Sequence, residues 1–301
     1  MRLPLFKVLI IGYGSIGQKH AKILKKLNCE VAVLTKQKKI PFKIIKDKKE
    51  VINYNPDYII ISNNTSNHIE YANFLEKNLK NKIILIEKPI SNKYKKIKLK
   101  KNKYIVGYNL RFHPLIQFIK KTIKKQNIHF ISINVSSYLP EWRKSINYKD
   151  SNSAKKKFGG GLLLELSHEL DYIKWIFGKI KLIYSYNKKI SNLKIDTDDI
   201  LILFGEINKK TKVIFNMNFF SRINKRDIQI EGKNFSLKAD LIKNHIEIFG
   251  NKKKKKYNWK KYKVFNTYVE EHNKVLKKDL EDFCTLEDSL DTLKMIKQIR
   301  G

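Results

Sequence analysis

Residues 7–27, KVLIIGYGSIGQKHAKILKKL, constrain the fold more than any other part of the sequence. An apolar run over residues 8–11 predicts a buried strand, and glycines in the spacing G-x-G-x-x-G follow it directly. Apolar side chains then recur at helical spacing, so the order is strand, glycine turn and helix. In this context the glycine spacing indicates a dinucleotide-binding site. The turn that we predict to hold the phosphates consists of Gly12, Tyr13, Gly14, Ser15, Ile16 and Gly17.

Each glycine of the turn has its own physical reason to be glycine. Gly12 allows a tight turn, Gly14 lets the backbone approach a pyrophosphate, and Gly17 lets the helix and strand pack closely. The N-terminus of the helix adds N–H groups and a partial positive charge for the phosphates. An ordinary glycine-rich turn is the alternative, and the flanking periodicity disfavours it. We therefore predict a nucleotide-binding Rossmann unit at this end of the chain.

The remaining pattern predicts two domains of different architecture. Strand and helix signals alternate up to a strand at residues 103–107, which predicts a doubly wound parallel sheet covered on both faces. Farther along, alternating strands separated by turns predict a large, open and mostly antiparallel sheet. The predicted fold class is thus α/β, with a Rossmann domain over residues 1–113 and an α+β domain over residues 114–301. Two closing helices, at residues 268–284 and 287–298, belong to the second domain in this prediction.

The chain of 301 residues carries 64 lysines and arginines against 28 acidic residues, a formal net charge of +36. Such a charge is typical of proteins that bind nucleic acid or an anionic membrane. The lysines are spread over the whole chain, however, and accompany abundant isoleucine and asparagine, which share A/T-rich codons. The densest block, residues 252–256, is predicted as a solvated hairpin loop. We therefore expect neither nucleic acid nor a membrane as a partner, although a negatively charged substrate gains from the positive field.

The two cysteines, Cys29 and Cys284, are too few for a disulfide framework, which indicates a reduced, cytoplasmic setting. Cys29 precedes a predicted strand and Cys284 ends a predicted helix, so both are expected to be packing residues. No stretch of the sequence is long and apolar enough to span a bilayer. The first residues run directly into the first predicted strand, so no removable signal is expected.

Polar residues at the predicted carboxyl ends of the parallel strands are candidates for further cofactor contacts. The second strand is followed by Thr35 and Lys36 without an acidic residue, which favours a 2′-phosphate and hence NADP. The alternative is that these are ordinary residues of a lysine-rich chain, which leaves NAD open. Ser62 and Asn63 lie at the end of a buried strand, where a cofactor crosses a doubly wound sheet. Helix capping by the same loop is compatible with that role.

Two side chains are candidates for acid–base chemistry. Lys88 follows the fifth predicted strand, where a lysine can bond a substrate hydroxyl and lower its pKa. His168 lies on a helix predicted over residues 162–177, and Glu165 and Asp171 lie near its face at spacings of three residues. A histidine flanked by carboxylates is suited to acid–base catalysis, and the alternative is a structural role. Since no other histidine or cysteine clusters nearby in the sequence, we predict no metal site.

Four segments, taken in order, resemble the glucose–fructose oxidoreductase/inositol dehydrogenase (Gfo/Idh/MocA) family: GYGSIG, EKPIS, GYNLRFHP and GGGLLLELSHELDYIKWIFG. The stretch YLPEWR, followed by NYKDSNSAKKKFGGG, is similar to a subgroup associated with surface-polysaccharide and acidic-sugar biosynthesis. The resemblance covers nearly the whole chain. It implies a Rossmann domain and an open-sheet domain, NAD or NADP, and hydride transfer at a carbon that bears a hydroxyl. It also implies homodimers or homotetramers joined through the open sheets.

The resemblance implies roles for particular residues. Lys88 matches the family's active-site lysine and His168 matches its acid–base histidine, while the glycine turn matches the pyrophosphate loop. Arg111 lies in the segment that closes over the nicotinamide. The residues that match the wall of the cofactor site are Ser62, Asn63, His68 and Glu87, and Lys88 and Arg111 are expected to contact the cofactor as well.

The sequence departs from the family at two positions. Many members carry an aspartate four residues before the histidine, where this chain has Leu164, and the acid here is Glu165. On a helix this shift turns the carboxylate by roughly a third of a turn. The proline that usually follows the fourth strand is also absent, with Asn64 in that region.

The expected function is that of an NAD(P)-dependent oxidoreductase acting on a secondary hydroxyl or ketone of a sugar derivative, such as a sugar phosphate or nucleotide sugar. Aromatic residues would stack on the sugar ring and Arg143 would pair with a phosphate or carboxylate, with loop packing as the alternative. A non-catalytic dinucleotide-binding sensor or nucleic-acid-associated regulator is the competing class. The expected substrate-binding residues are Lys88, Tyr138, Trp142, Arg143, Tyr148, Glu165 and His168.

Overall fold

The computed structural model describes residues 6–124, 126–143, 146–250 and 253–301. The chain divides into two compact units. The first contains the residues up to Phe112 together with Val264–Leu293, and the second contains His113–Lys263 and Lys294–Gly301.

The strands and helices alternate over the first part of the chain, and strands predominate over the second. In chain order the strands are β1 (Lys7–Ile11), β2 (Glu30–Leu34), β3 (Lys43–Ile45), β4 (Tyr58–Ile61), β5 (Ile83–Ile86), β6 (Lys103–Val106), β7 (Ile128–Tyr138), β8 (Ile180–Lys188), β9 (Ile200–Ile207), β10 (Thr211–Asn218), β11 (Phe220–Gly232), β12 (Phe235–Asp240), β13 (His245–Gly250), β14 (Lys253–Asn258) and β15 (Cys284–Thr285). The helices are α1 (Ser15–Lys26), α2 (Lys48–Tyr54), α3 (His68–Asn78), α4 (Pro114–Ile123), α5 (Leu162–Glu165), α6 (Ser167–Phe177), α7 (Phe265–Leu276) and α8 (Leu286–Arg300).

The first unit is built on a seven-stranded sheet in the order β15-β6-β5-β4-β1-β2-β3. The strands β1 to β6 all pair in parallel, and β15 is antiparallel to β6. Without β15, this is the strand order of a Rossmann fold, and the order reverses between β1 and β4. All four residues of β4 and the last four of β1 are buried, as expected of central parallel strands. The predicted doubly wound sheet is confirmed.

The returning segment Val264–Leu293 packs with the first unit because its apolar residues complete the core of that unit. Val275 of α7 is fully buried and Phe283 is 2% exposed, in one cluster with strand residues such as Val33 and Ile60. Our predicted second domain, residues 114–301, had included this segment. The difference arises because apolar periodicity shows that a helix buries one face, but not which sheet it packs against.

The same segment corrects a local prediction. The helix predicted over residues 268–284 ends at Leu276, and Cys284 lies in β15 instead of at a helix end. β15 pairs Cys284 with Val106 at the edge of the sheet. Cys29 and Cys284 are both buried free thiols, as expected of packing residues.

The second unit is built on an eight-stranded sheet in the order β14-β13-β12-β11-β7-β10-β9-β8. All neighbours are antiparallel except β7 and β10, which pair in parallel. Buried and less buried residues alternate along β9 and β10, so one face is covered and the other is open. The predicted open and mostly antiparallel sheet is confirmed.

The densest lysine block forms an edge strand, which corrects the predicted hairpin loop. Lys253 begins β14, and Lys252 lies outside the described residues. β14 pairs with β13, where the ammonium groups of Lys254 and Lys256 lie 3.1 and 3.5 Å from Oε1 of Glu247. Lysines are a common protection of an exposed sheet edge against pairing with another chain. The block therefore has a structural explanation.

Among the residues that the structure describes, none of the helices combines the length and the apolar character needed to cross a membrane.

Candidate functional site

The glycine turn after β1 is shaped by two close backbone approaches. Gly12 has a φ of +97°, and a Cβ atom there would lie 2.6 Å from the Cα atom of Asn63. A Cβ atom on Gly17 would lie 2.1 Å from the carbonyl oxygen of Gly12. Both distances are below any real contact of a Cβ atom, so these two positions accept only glycine without a shift of the backbone. The turn is thereby held against Asn63, the second residue after β4.

Gly14 differs from the other two glycines because it faces open space. It is the N-cap residue of α1, no side chain caps the helix there, and a Cβ atom at Gly14 would meet nothing within 4 Å. Gly14 and Ser15 are exposed, and Ile16 is half-buried. The N–H groups of the first helical turn thus border an open surface that a phosphate can occupy.

Tyr13 contributes its backbone to the turn, since its side chain is 8% exposed and its ring meets Phe42 edge-on at 6.1 Å. The carbonyl oxygen of Tyr13 accepts a hydrogen bond from the Gln37 side chain at 3.1 Å. The Gln37 backbone N–H in turn bonds the Thr35 hydroxyl at 3.2 Å. Our sequence analysis did not identify Gln37, because its partner lies 24 positions away. Gln37 thus joins the end of β2 to the glycine turn. Lys36, which lies between Thr35 and Gln37 in the sequence, is exposed.

The end of β4 supplies the second side of the site. The Ser62 hydroxyl donates to the carbonyl oxygen of Gly12 at 3.2 Å, so it fastens β4 to the turn. Within the described part of the chain, the buried Oδ1 atom of Asn63 has no hydrogen-bond partner. An acceptor left without a donor at the point where the strand order reverses suits a hydroxyl or amide of a bound ligand. Together with the open turn, this acceptor fits a dinucleotide.

His68 holds two loops of the site together. Its ring nitrogens lie 3.1 Å from the carbonyl oxygen of Pro89 and 3.1 Å from that of Asn63, and the residue is 1% exposed. Burial lowers the pKa of His68, and a neutral ring has one N–H, which donates to one of the two carbonyl oxygens. His68 thus positions the loops after β4 and β5, and its ring has almost no exposed surface for a cofactor.

Lys88 and Glu87 follow β5 and have different surroundings. Lys88 is half-buried, and its peptide bond to Pro89 is cis. The Glu87 carboxylate is almost buried, with Oε1 at 2.9 Å from Nε2 of His20 on α1. A Cβ atom on Gly107 would lie 2.9 Å from the same oxygen, so the side chain fills the interior. Glu87 therefore supports the strand end from inside.

Arg111 is enclosed by the returning segment. It is 2% exposed, and its guanidinium donates to the carbonyl oxygen of Phe283 at 3.2 Å and to the Asp288 carboxylate at 3.3 and 3.4 Å. The resemblance places Arg111 in the segment that closes over the nicotinamide, and its contact with a cofactor stays a prediction. In the structure its guanidinium lies in the interior, where it joins the loop after β6 to the returning segment.

His168 lies on α6, and Glu165 lies on a separate short helix, which corrects the prediction of one continuous helix. The break falls at Leu166, whose φ and ψ are −97° and 26°. The Glu165 carboxylate accepts a hydrogen bond from the Ser153 hydroxyl at 2.6 Å. Glu165 is thus tied to the loop that precedes the helices. Asp171 stays on α6 and is 1% exposed.

A buried ion pair anchors the helix that carries His168. The Glu169 carboxylate is fully buried, and Arg226 on β11 reaches it through Nε at 2.8 Å and through a terminal nitrogen at 2.7 Å. Tyr172 adds a hydrogen bond to Glu169 at 3.4 Å. The sequence offered one signal that we did not use, a carboxylate among the apolar residues of α6. The pair holds the residue next to His168 against the sheet.

The predicted sugar-binding residues have mixed surroundings. Two of these residues have protein partners, as expected for loop packing. The centre of the Tyr138 ring lies 4.5 Å from the Arg222 guanidinium carbon, and the Tyr148 hydroxyl accepts a hydrogen bond from the Lys194 backbone N–H at 3.2 Å.

The other two residues are exposed. Trp142 is 36% exposed although its ring nitrogen donates a hydrogen bond to the Ser137 hydroxyl at 3.0 Å, and Arg143 is exposed as well. The exposed pair keeps surface that a ligand can contact.

Neither a protein-family model nor a curated protein sequence matches this chain. Solved structures match it over nearly its whole length. UDP-N-acetylglucosamine 3-dehydrogenase GnnA from Acidithiobacillus ferrooxidans is 15% identical with a TM-score of 0.77, over 99% of this chain and 97% of that chain. Levoglucosan dehydrogenase, in complex with NADH, is 15% identical with a TM-score of 0.82, over 97% of this chain and 95% of that chain.

A transcriptional regulator shares the same likeness. Gal80p from Kluyveromyces lactis is 15% identical with a TM-score of 0.80, over 98% of this chain and 91% of that chain. Identities this low establish the fold alone. The two-part fold expected from the motif resemblance is confirmed, and dehydrogenases as well as a regulator have that fold.

The two glycines of the turn give opposite predictions. Gly17→Ala places a methyl group against the Gly12 carbonyl, so we expect a loss of about 1–3 kcal/mol in the free energy of unfolding. Gly14→Ala meets no atom of the protein, so we expect stability within about 0.5 kcal/mol of wild type. It fills the space above α1, however, and should weaken dinucleotide binding at least roughly tenfold. Urea denaturation and calorimetric titration with NADPH measure the two effects, and unchanged NADPH affinity in Gly14→Ala would contradict the site.

Proposed function

We propose that this protein is an NAD(P)-dependent oxidoreductase that transfers a hydride between the nicotinamide and a secondary hydroxyl or ketone of a sugar derivative. The observation that carries the proposal is the open glycine turn at the reversal of the strand order, in a chain that also has Lys88 after β5 and His168 on an anchored helix. GnnA and levoglucosan dehydrogenase, named as dehydrogenases, share the fold along the whole chain.

The proposed chemistry assigns one task to each side chain. When the cofactor is bound, it accepts the hydride from the carbon that bears the hydroxyl, or donates it in the reverse reaction. His168 accepts the hydroxyl proton in the oxidation and returns it in the reduction. The Lys88 ammonium donates a hydrogen bond to the same oxygen and stabilises the negative charge that develops there. The scheme assigns no step to Glu165.

The proposed substrate class is a negatively charged sugar derivative, either a sugar phosphate or a nucleotide sugar. The net charge of +36 attracts anions from solution, and the exposed Arg143 supplies a guanidinium suited to a phosphate or carboxylate. Trp142 is exposed enough for one face of its ring to contact a sugar. The name of GnnA, which has the same fold, specifies a nucleotide sugar.

Replacing the two proposed catalytic residues tests the function. We expect Lys88→Ala and His168→Ala each to lower kcat by roughly 10²–10⁴-fold, since positioned acid–base groups contribute about that much. Both variants should still bind NADPH, because the glycine turn proposed to hold the phosphates is unchanged in them. Lys80→Ala and His129→Ala remove exposed residues of the same types and serve as matched controls. Near-normal turnover in either proposed variant would refute its role.

The cofactor preference is a separate proposal, in which Thr35 and Lys36 bind a 2′-phosphate and make NADP the better cofactor. It rests on the exposed Lys36 after β2 and on the absence of an acid there. We expect Lys36→Ala to raise the Kd of NADPH roughly tenfold, as for loss of a charge-assisted hydrogen bond, and to change the Kd of NADH by less than about twofold. Lys38→Ala is the control, and a much higher wild-type kcat/KM with NAD than with NADP would contradict the preference.

We also propose a homo-oligomer that joins through the open face of the second sheet. Four large apolar residues of β8 and β9 are exposed there: Ile183, Tyr184, Tyr186 and Ile202. An apolar group of this kind on neighbouring strands marks an interaction surface. Tyr184→Lys should therefore reduce the mass measured by light scattering by at least half, and Ile52→Lys on α2 should not. A wild-type protein that is already monomeric would exclude the interface.

The competing function is a non-catalytic dinucleotide-binding regulator. The likeness of the fold to that of Gal80p favours it. It predicts no turnover with any sugar derivative and, for a nucleic-acid-associated regulator, binding that weakens steeply with salt. The enzyme predicts turnover and no such binding, so one substrate panel and one gel shift across salt concentrations separate the two.

We further propose a cytoplasmic location, which rests on the two free and buried thiols, Cys29 and Cys284.

A further inference from the structure

Glu271 on α7 is a buried carboxylate without a hydrogen-bond partner among the described residues. The residue is fully buried, and neither of its carboxylate oxygens is bonded within that part of the chain. Burial raises the pKa of Glu271 well above its ordinary value, because the ionised form is poorly solvated there. A buried acid without partners is costly, so its presence requires a proton or a cation.

Two further ligand atoms converge on Glu271. One nitrogen of His20, one oxygen of Glu87 and one oxygen of Glu271 all lie within 4.8 Å of one another. The three residues come from α1, from the end of β5 and from α7, and all belong to the first unit. Nε2 of His20 and Oε1 of Glu87 are 2.9 Å apart. The cluster therefore joins elements that are distant in sequence at one buried point.

The spacing of these atoms is compatible with one bound cation. Neither oxygen of Glu271 accepts a hydrogen bond from a donor of the described residues, so a cation is a partner that the carboxylate can take. A metal ion with bonds of about 2.0–2.2 Å holds its ligand atoms roughly 3–4.4 Å apart. The three atoms lie within 4.8 Å of one another, and the His20–Glu87 pair at 2.9 Å is separated like two adjacent ligands of one ion.

The other nitrogen of His20 has the support that metal-binding histidines receive. Nδ1 of His20 lies 2.8 Å from Nε2 of His272, and Nδ1 of His272 lies 3.1 Å from the Tyr58 hydroxyl. With N–H on both Nδ1 atoms, His20 donates to His272 and His272 donates to Tyr58. This tautomer leaves Nε2 of His20 free to coordinate, which is the usual outer-shell arrangement of metal sites.

A divalent cation would also balance the charge of its ligands. Two carboxylates that are ionised for metal binding carry a charge of −2, which such a cation neutralises. Lys19 is a further basic residue near Glu87, with its ammonium 4.3 Å from the centre of the Tyr268 ring. Burial lowers the pKa of Lys19 even though Glu87 opposes this effect, so the lysine is a weak substitute for a cation.

We propose that His20, Glu87 and Glu271 bind one divalent first-row metal ion, of the Zn²⁺ or Mn²⁺ type. An imidazole with two carboxylates is a ligand set that these ions accept. The ion would cross-link the helix that begins at the glycine turn to the strand end that precedes Lys88. Its role is to fix the positions of both, and the proposal does not depend on the identity of the substrate. This proposal differs from our sequence-based prediction of no metal site, because that prediction was based only on residues that are close together in the sequence.

The test measures metal content and thermal stability of the whole, tag-free protein. Protein produced with added Zn²⁺ and Mn²⁺ and then desalted should contain about one equivalent of metal per chain by mass spectrometry. After removal of the metal with a chelator, Zn²⁺ at about 100-fold above its Kd should raise Tm by roughly 5 °C. Glu271→Gln should lose at least roughly 90% of the bound metal. Glu270→Gln, which changes an exposed acid on the same helix, should retain it.

Two results would overturn the proposal. One is wild-type protein without stoichiometric metal and without a Tm shift in Zn²⁺, Mn²⁺ or Co²⁺. The other is Glu271→Gln at least as stable as wild type, because glutamine imitates a protonated acid and not a metal ligand. If Glu271→Gln does not fold, the visible spectrum of the Co²⁺-loaded wild type decides, since carboxylate and imidazole ligands change it from that of the aqueous ion. Dehydrogenase activity in protein that never binds metal would reject the ion and leave the proposed function standing.

Discussion

The backbone contact between the turn after β1 and Asn63, just beyond β4, is the constraint on which the candidate cofactor site depends. At Gly12 and Gly17 there is room only for backbone, as distances of 2.6 and 2.1 Å to a hypothetical Cβ atom show. Because the turn lies this close to β4, Ser62 can fasten it and the acceptor of Asn63 lies beside it. Gly14 then remains above the start of α1 with open space in front. A looser turn would separate the groups proposed to meet one dinucleotide.

A chain with a net charge of +36 uses several of its carboxylates as anchors. The buried Glu169 holds α6 to β11 through Arg226, and the half-exposed Asp288 accepts hydrogen bonds from the buried guanidinium of Arg111. Asp199, fully buried, accepts bonds from two backbone N–H groups and one hydroxyl of the loop after β8. These acids position backbone segments, whereas most lysines lie at the surface. The charge that dominates the composition thus says little about the interior.

Several candidate residues lie in the predicted part of the fold but have side-chain partners that the sequence does not reveal. Glu87 follows the carboxyl end of β5 as expected, yet its carboxylate forms a hydrogen bond with His20, which lies 67 positions earlier in the sequence. Arg111 bonds Asp288, 177 positions later, and His20 bonds His272, 252 positions later. Strand ends are local features that periodicity predicts. The direction in which a side chain points depends on partners that only the folded chain brings near.

Local patterns in the sequence were sufficient to predict the opening strand, glycine turn and helix, the parallel sheet that follows, and the mostly antiparallel second sheet. Those features depend on side-chain periods of two and 3.6 residues and on glycine chemistry, which act over short stretches. The folded chain was needed to find the break at Leu166, the strand formed by the lysine block, the packing of Val264–Leu293 with the first unit, and the cluster around Glu271. Burial and pairing between distant segments set these features, and no local pattern records which segments will meet.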